Sequence, residues 1–191
     1  VSLGDLLREE VRQGTDIGKK AKDCMNAGKL VPDELTIELT RKKINSPECA
    51  KGCIIDGFPR SEVQAVAFDK MLAEMGLEIE KVVYFEVSAE QVVDRLSGRR
   101  SCPKCGAVFH VKYNPPKKEN VCDRCGGALT HRVDDEEKAI RTRFEVYAGQ
   151  TLPLTERYRK VGKLVSIDAG AEISKVFGQL VSVLENVGHK N

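Results

Sequence analysis

Two Cys-x-x-Cys pairs, each followed by glycine, are the clearest candidates for metal chemistry in this sequence. A two-residue spacing lets both thiolates of a pair bind one ion, and the glycine accepts the backbone angles of the turn. Two such turns predict a tetrahedral site of four sulfurs, which suits Zn²⁺ and leaves no open position for catalysis. Two disulfides, or a site that has lost its metal, are the alternatives. The predicted ligands are Cys102, Cys105, Cys122 and Cys125.

The run Asp-Gly-Phe-Pro-Arg at 56–60 places an acid and an arginine at the end of a predicted strand. Ligands of open α/β sheets bind beyond the carboxyl ends of the strands. Asp56 can hold Mg²⁺ there through water, and Arg60 can bind a phosphate through two parallel hydrogen bonds. Gln64 offers one donor and one acceptor group that can read the edge of a base. A capped turn with a solvated arginine is the alternative interpretation.

Further arginines stand at both borders of the insertion that carries the four cysteines. Arginine is always charged and fork-shaped, which suits polyanionic phosphate. Any one of these residues alone is typical of a charged surface, but their clustering favours a phosphate clamp. They are Arg95, Arg99 and Arg100 before the insertion and Arg132, Arg141 and Arg143 after it, with Asp134 and Asp135 between.

The elements that must position these residues alternate between apolar runs and helical patterns, which predicts a mainly parallel α/β sheet. Runs rich in valine and isoleucine predict buried strands at 52–58, 81–87 and 163–169, and Val1-Ser2 reads as the end of another strand. Helices are predicted at 4–13, 16–27, from Pro32 onward, and at 61–75, 88–97, 134–148, 151–160 and 171–187. Gly28 is predicted to end the second helix.

Composition narrows the class of protein. The chain has 191 residues and a net charge of +2, which is too small to argue for nucleic acid or a membrane surface. The longest apolar runs are far too short to span a bilayer. Seven cysteines, four of them in one metal-type pattern, favour a reducing compartment. Zinc ribbons also occur in nucleic-acid proteins, but that class leaves residues 56–60 unexplained.

Together these stretches resemble the adenylate kinases of the long type, which carry a zinc-bearing lid. The match runs in order through GDLLR (4–8), DCMNAGKLVPDEL (23–35), DGFPR with Gln64, DRLSGRR (94–100), VFHVKYNPP (108–116) in the cysteine insertion, and DDEEKAIRTR (134–143) to TLPL (151–154). The resemblance implies an α/β fold, with a parallel-sheet, P-loop-type nucleoside monophosphate kinase core. Its parts are a monophosphate-binding segment at 2–31, a core at 32–97 and 136–191, and a zinc-binding lid at 98–135.

The same resemblance implies reversible transfer of the γ-phosphoryl group of Mg-ATP to AMP, with structural Zn²⁺ and nucleotide-bound Mg²⁺. The residues implied for AMP are Leu3, Arg8, Met25, Lys29, Val31, Gly57, Arg60, Gln64, Arg132 and Arg143. The residues implied for ATP are Arg95, Arg99, Val108, Phe109 and Ala171. The implied catalytic residues are Arg60, Arg99, Arg132 and Arg143, and the implied magnesium acids are Asp5 and Asp56. Asp134 and Asp135 lie at the implied lid hinge, where they would pair with arginine in the closed form.

The resemblance also implies a monomer that binds ATP and AMP but neither nucleic acid nor membrane. It is expected in the cytoplasm, or in mitochondria if the source is a eukaryote.

The sequence departs from the family pattern in two places. Leu3 stands where the family usually has threonine, which removes a hydroxyl that faces AMP. The phosphate-cradling run G-x-x-x-x-G-K-[ST] does not occur in the 191 residues. We therefore expect the first strand and that loop to lie upstream of Val1, and this chain alone to be inactive. A kinase for GTP or another monophosphate, and a non-catalytic, truncated nucleotide-binding relative, are the alternatives.

Overall fold

The computed structural model describes residues 1–185, which form helices, a short parallel sheet and the cysteine-bearing insertion, here called the lid. The helices are α1 (Leu3–Gln13), α2 (Asp16–Asn26), α3 (Asp33–Ile44), α4 (Glu62–Glu74), α5 (Ala89–Ser97), α6 (Glu137–Val146), α7 (Leu154–Lys160) and α8 (Ile173–Glu185). The strands are β1 (Val82–Glu86), β2 (Arg99–Ser101), β3 (Val108–His110) and β4 (Leu164–Asp168). Short 3₁₀ helices lie at Pro47–Cys49 and Val133–Asp135, and a short π-helix lies at Tyr147–Thr151.

Each helix that the sequence predicts is confirmed, with its ends shifted by a few residues. Gly28 follows α2 with a φ of +70°, the left-handed conformation expected just beyond a helix end. Residue 187, the predicted end of the last helix, lies outside the described residues, as does the end of the predicted core segment 136–191. The division into a monophosphate-binding segment, core and lid stays a prediction.

The main core lies among α1, α2, α3 and α4. These helices bury their apolar faces because leucine, valine and aromatic side chains recur at helical spacing. The most buried members are Leu3, Leu7, Ala21, Val31, Leu39, Ile44, Phe58, Phe68, Met71 and Leu72. Within residues 1–185, no helix is both long and apolar enough to cross a bilayer.

The central sheet consists of β1 and β4, which pair in parallel from Val82↔Leu164 to Glu86↔Asp168. Parallel pairing with helices between the strands confirms the predicted α/β class. The predicted burial on both faces is wrong for β1. Val82 packs against the apolar cluster that contains Tyr158, but on the opposite face Phe85 keeps 42% exposure.

The predicted buried strand at 52–58 is wrong. In the structure this segment is extended but forms a single bridge, from Asp56 to Ser2. Its backbone is paired on one side only: the Asp56 N–H donates to the Val1 carbonyl at 2.8 Å, and the Leu3 N–H donates to the Asp56 carbonyl at 2.9 Å. Ile54 is 60% exposed, so the apolar run is not enclosed. The pairing does agree with the interpretation of Val1-Ser2 as the end of a strand.

The lid begins with β2 and β3, which pair antiparallel so that Arg100 lies opposite Phe109. Ser101 then bridges to Thr130, which closes the insertion on itself. The interior holds few apolar side chains apart from Leu129, and the buried Cys102 and Cys122 pack with it. So small an apolar cluster cannot hold the lid together unaided, which agrees with a need for metal.

Gly28→Ala is expected to destabilise the protein more than Gly14→Ala does. Both glycines have a left-handed φ, which costs an alanine roughly 1–2 kcal/mol. A Cβ at Gly28 would also lie 2.5 Å from the Ala139 carbonyl oxygen and 2.8 Å from Cγ of Arg143. A Cβ at Gly14 would have no such neighbour within 4 Å. That overpacking adds about 1–3 kcal/mol. Urea unfolding of both variants measures the difference, and equal losses would contradict close packing of the α2 end on α6.

Candidate active site

Asp134 lies between two arginines that are far apart in the chain. Its carboxylate is 3.9 Å from the Arg8 guanidinium and 3.5 Å from that of Arg143. Arg8 lies on α1 and also binds Asp5 at 2.6 Å. Arg143 lies on α6 and donates to the Asp134 carbonyl at 3.1 Å. The 3₁₀ turn that leads out of the lid therefore brings α1 and α6 to one charged centre.

Asp135 joins the entry and exit of the lid. Its side chain is fully buried, and it accepts two hydrogen bonds from Arg99: Nε to Oδ2 at 2.7 Å and Nη2 to Oδ1 at 2.5 Å. Arg143 lies 3.5 Å from the same carboxylate. Arg99 is the first residue of β2, so this pair fixes the base of the lid against α6. Both aspartates therefore pair with arginine in this structure, whereas their pairing in a closed form stays a prediction.

Asp135→Ala is expected to lower the free energy of unfolding by about 3 kcal/mol, because it leaves the largely buried Arg99 without its partner. Glu137→Ala is the matched control. It removes the pair with Arg141, in which both side chains are more than 70% exposed, and an exposed pair contributes less than about 1 kcal/mol. Denaturant unfolding measures both variants. A loss at Asp135 no larger than at Glu137 would contradict a structural role for the buried pair.

Arg60 and Arg132 lie in the same positive field. Burial, then the charges of Arg143 and Arg8, lower the pKa of Arg60. Burial, then the charges of Arg8 and Arg99, lower the pKa of Arg132. Both side chains remain charged, since a guanidinium does not lose its proton near neutral pH. The repulsion among them therefore persists, and an anion bound between them would relieve it.

Short polar contacts hold these two arginines in place. Arg60 donates from Nε to the Gly57 carbonyl at 2.8 Å, and Thr151 Oγ1 donates to the Arg60 carbonyl at 2.8 Å. Arg132 donates from Nε to Ser101 Oγ at 2.7 Å. Neither Thr151 nor Ser101 could be predicted as a site residue, because a lone hydroxyl residue carries no motif that marks its partner.

The other residues implied for AMP differ in their exposure. Leu3 and Val31 are buried in the main core, at 5% and 6% exposure, and Met25 is half-buried. Lys29 is exposed. Gly57 has a φ of +79°, which lets the chain turn toward Arg60. Their contacts with a nucleotide stay predictions, and Leu3 offers no hydroxyl in any case.

Gln64 is more enclosed than a simple base contact would require. Its side chain is 1% exposed, and Oε1 accepts a hydrogen bond from the Arg60 N–H at 2.7 Å. Nε2 donates to Asp33 Oδ1 at 2.7 Å. Ser61 Oγ lies 3.2 Å from that same carboxylate oxygen. Asp33 and Ser61 were not predicted as site residues, although each stands at the start of a helix.

Four of the five residues implied for ATP fall into two groups, and the fifth, Arg99, binds Asp135. Arg95, on α5, donates from Nη2 to the Ala169 carbonyl at 2.8 Å, which places it beside the loop after β4 that also contains Ala171. Phe109 and Val108 lie in the lid strand β3, where Val108 is 49% exposed. Their contacts with ATP stay predictions.

The two acids implied for magnesium lie near the start of α1. The Leu3 N–H donates to the Asp56 carbonyl, which ties residues 1–3 to the segment that carries Asp56. Burial raises the pKa of Asp5, but the hydrogen bond and charge of Arg8 outweigh it and hold this pKa below its usual value. Asp5 is therefore ionised, as a magnesium-binding acid must be. The magnesium role of both acids stays a prediction.

The four cysteines are positioned to bind a metal. All four sulfur atoms lie within 4.8 Å of one another. The closest pairs, Cys102–Cys125 and Cys105–Cys122, are 3.4 Å and 3.5 Å apart, near the edge of about 3.8 Å that four Zn–S bonds of 2.3 Å give a tetrahedron. A disulfide needs about 2.05 Å, so the two-disulfide alternative does not fit.

The turns and charges around the sulfurs also suit a cation. Gly106 and Gly126 have φ values of +74° and +71°, and their N–H groups donate to the carbonyls of Cys102 and Cys122 at 2.9 Å and 2.8 Å. Burial raises the pKa of the Cys102 thiol, but hydrogen bonds from the backbone N–H of residue 105 and from the thiol of Cys125 lower it by more, to about 7. The Gly127 N–H lowers the pKa of the Cys125 thiol, but the neighbouring thiols raise this pKa by a larger amount, so that it reaches about 12. Thiolates this close together repel one another, and a bound cation would relieve that repulsion.

Comparison with known proteins decides the family. The family model described as adenylate kinase matches residues 1–163, which include the arginine cluster, its two aspartates and all four cysteines. The chain belongs to the adenylate kinase family. Adenylate kinases from Carboxydothermus hydrogenoformans and Archaeoglobus fulgidus are each 46% identical to it, over 97% and 98% of this chain and 86% of theirs. One from Caldicellulosiruptor saccharolyticus is 47% identical over 96% of this chain and 86% of its own. As a member of the adenylate kinase family the chain is a nucleoside monophosphate kinase, a phosphoryl transferase.

Proposed function

We propose that this adenylate kinase family member transfers the γ-phosphoryl group of Mg-ATP reversibly to AMP, giving two ADP. One observation carries the proposal: Arg8 and Arg143 share the Asp134 carboxylate at the lid base, beside Arg60 and Arg132. Burial, then the charges of Arg143 and Arg8, lower the pKa of Arg60, and burial, then the charges of Arg8 and Arg99, lower the pKa of Arg132. Phosphoryl transfer asks a protein mainly for positioning and for positive charge around the phosphoryl oxygens. The cluster supplies both at the meeting point of the helical segment, the core and the lid.

Within that site, Arg8 would bind the AMP phosphate from helix α1, and Arg60 would bind it from the end of the 56–60 turn. Arg132 and Arg143 flank them from the lid exit and α6, where they would bind the phosphoryl group as it moves. Asp134 lies within 3.9 Å of Arg8 and 3.5 Å of Arg143, so it offers them a counter-charge until a phosphate arrives. Arg95 and Arg99 would bind the phosphates of ATP.

Two metal ions would serve different purposes. Zn²⁺ would bind Cys102, Cys105, Cys122 and Cys125 and fold the lid, since four thiolates leave it no catalytic position. Mg²⁺ would accompany ATP and offset the charge of its phosphates. Asp5 and Asp56 would hold the waters of that ion. A folded lid over the site would keep water from the phosphoryl group.

We further propose that the loop that cradles the ATP phosphates comes from residues other than these 191, which contain no G-x-x-x-x-G-K-[ST] run. Two features support the proposal: the 52–58 segment is paired on one side only, and Phe85 of β1 remains 42% exposed. The 191 residues alone would then bind AMP but transfer phosphate at least about 100-fold more slowly than the product of the whole gene. Equal turnover of the two would overturn this part.

A panel of nucleotides tests the assignment of substrates. The product of the whole gene is assayed for diphosphate formation with ATP or GTP as donor and with AMP, CMP, UMP or GMP as acceptor. AMP is expected to be the preferred acceptor and ATP the preferred donor. A higher kcat/KM for another monophosphate, or for GTP, would replace this proposal with the corresponding kinase activity.

A further inference from the structure

The side-chain amide of Gln64 is held in one orientation by partners on two helices. Oε1 accepts from the Arg60 N–H, and Nε2 donates to Asp33 Oδ1, both at 2.7 Å. Arg60 directly precedes α4, and Asp33 is the first residue of α3. At 1% exposure the amide has almost no contact with water that could replace either partner. The two hydrogen bonds therefore determine how the amide lies.

The chemistry of the partners makes that orientation unambiguous. A backbone N–H can only donate, so the atom facing Arg60 must be the amide oxygen. An ionised carboxylate can only accept, so the atom facing Asp33 must be the amide nitrogen. A flipped amide would set donor against donor and acceptor against acceptor, and would leave buried polar atoms without partners.

Ser61 reinforces the arrangement from the cap of α4. Its Oγ accepts from the Gln64 N–H at 3.2 Å and lies 3.2 Å from Asp33 Oδ1, to which it donates. One carboxylate oxygen thus receives hydrogen bonds from both Ser61 and Gln64. Asp33 is half-buried, so the carboxylate is held between α3 and α4 rather than free in solvent.

An amide held in one orientation presents its hydrogen-bond donor and acceptor in one fixed arrangement. Gln64 retains one N–H on Nε2 and one lone pair on Oε1 beyond the contacts described, because each atom supports two hydrogen bonds. The edge of adenine offers a ring-nitrogen acceptor beside an amino donor, which complements that pattern. The edge of a 6-oxopurine, as in hypoxanthine or guanine, carries a ring N–H donor beside a carbonyl acceptor. A glutamine whose amide can flip would bind both base edges, whereas one whose amide is fixed would favour the adenine edge.

We propose that Asp33 is a positioning residue that fixes the Gln64 amide and thereby makes the acceptor site select adenine over 6-oxopurine nucleotides. The proposal rests on the proposed function, with AMP as acceptor, and on the AMP-side role that the resemblance implies for Gln64. Asp33 does not need to touch the nucleotide, because it acts by excluding the flipped amide. An asparagine at this position would present either an acceptor or a donor to Gln64 and would weaken that exclusion.

Calorimetric binding of AMP and IMP to the product of the whole gene tests this, since binding does not require turnover. IMP differs from AMP at the base edge and lacks the 2-amino group that would complicate GMP. The wild type is expected to prefer AMP by about 10-fold or more, as a complementary two-bond contact to a base provides. Asp33→Asn is expected to reduce the AMP-to-IMP affinity ratio by about tenfold. Glu34→Gln, the exposed next residue of α3, is the control and should leave the ratio unchanged.

A loss of affinity for both nucleotides in equal proportion would show a merely structural role for Asp33 and overturn the proposal, as would a wild type that does not discriminate. Absence of AMP binding to the wild type would instead overturn the acceptor site itself. Circular dichroism checks that the variants fold. If Asp33→Asn does not fold, Asp33→Ser provides the same comparison, because a serine side chain is too short to keep the contact with Nε2. An unchanged ratio in the folded variant contradicts the proposal.

Discussion

Replacing Arg143 with alanine is expected to slow phosphoryl transfer by about 10³-fold. This effect is typical of an arginine that stabilises the phosphoryl group in the transition state. Arg143 lies 3.5 Å from both Asp134 and Asp135 at the lid base, in the positive field that also contains Arg60. Arg141→Ala is the matched control, two residues away on the same helix. Its side chain is 72% exposed and binds Glu137, so its loss should change the rate by less than about twofold.

A second variant separates charge from shape. Arg143→Lys keeps a positive charge but loses the fork that binds two oxygens at once, so it should recover only part of the rate. Thermal melting controls for lost packing, because the stem of Arg143 lies against Gly28. The measurement is kcat/KM for AMP with the product of the whole gene. Similar rates for Arg143→Ala and Arg141→Ala would contradict the assignment of the arginine cluster to the reaction.

Cys105→Ser is expected to abolish zinc binding and unfold the lid. One ion per chain should be found in the wild type and almost none in the variant, because three thiolates and a hydroxyl form a much weaker site. The midpoint of thermal unfolding should fall by about 10 °C, as a loss of several kcal/mol implies for a chain of this size. Helical circular dichroism should persist, since α1–α4 have a separate core.

Cys53→Ser is the control for that experiment. Cys53 is exposed and lies outside the cluster of four sulfurs, so its replacement should leave zinc content and the unfolding midpoint nearly unchanged. Metal analysis of the purified proteins gives the zinc content. A variant at Cys105 that still binds one tightly held zinc ion would contradict the four-cysteine site.

Motifs with a fixed local spacing could be predicted from sequence. Cys102 and Cys122 each begin a turn whose geometry follows from two intervening residues and a glycine, and the four sulfurs do converge. Helix ends were predicted for the same reason: Gly28 and the acids that open α3 act within one turn of the chain. In such cases the physical cause lies within a few residues of its effect.

Features that depend on distant partners could not be predicted in the same way. The run at 52–58 has the composition of a buried strand, but burial requires neighbours on both sides, and Ile54 is 60% exposed. The roles of Ser101 and Thr151 depend on hydrogen bonds to Arg132 and Arg60, which are far away in sequence. No local pattern marks such residues, because hydroxyl side chains are common at every surface.

The arginine cluster falls between these two cases. Its members are separated by up to 135 positions in the chain, from Arg8 to Arg143, so spacing alone gives no reason for them to meet. The resemblance to a family grouped them, and the structure brings Arg8 and Arg143 to the same carboxylate of Asp134. The order in which α1, the lid exit and α6 pack is therefore the feature that sequence patterns alone did not provide.

Phosphorus NMR of the whole gene product with ATP, AMP and Mg²⁺ tests the central claim most directly, because it follows every phosphoryl group at once. Two ADP are expected for each ATP consumed, the reaction should approach the same equilibrium when started from ADP, and it should stop when AMP or Mg²⁺ is omitted. ATP loss that releases inorganic phosphate without AMP, or no ADP formation by the folded, zinc-loaded protein, would contradict the account.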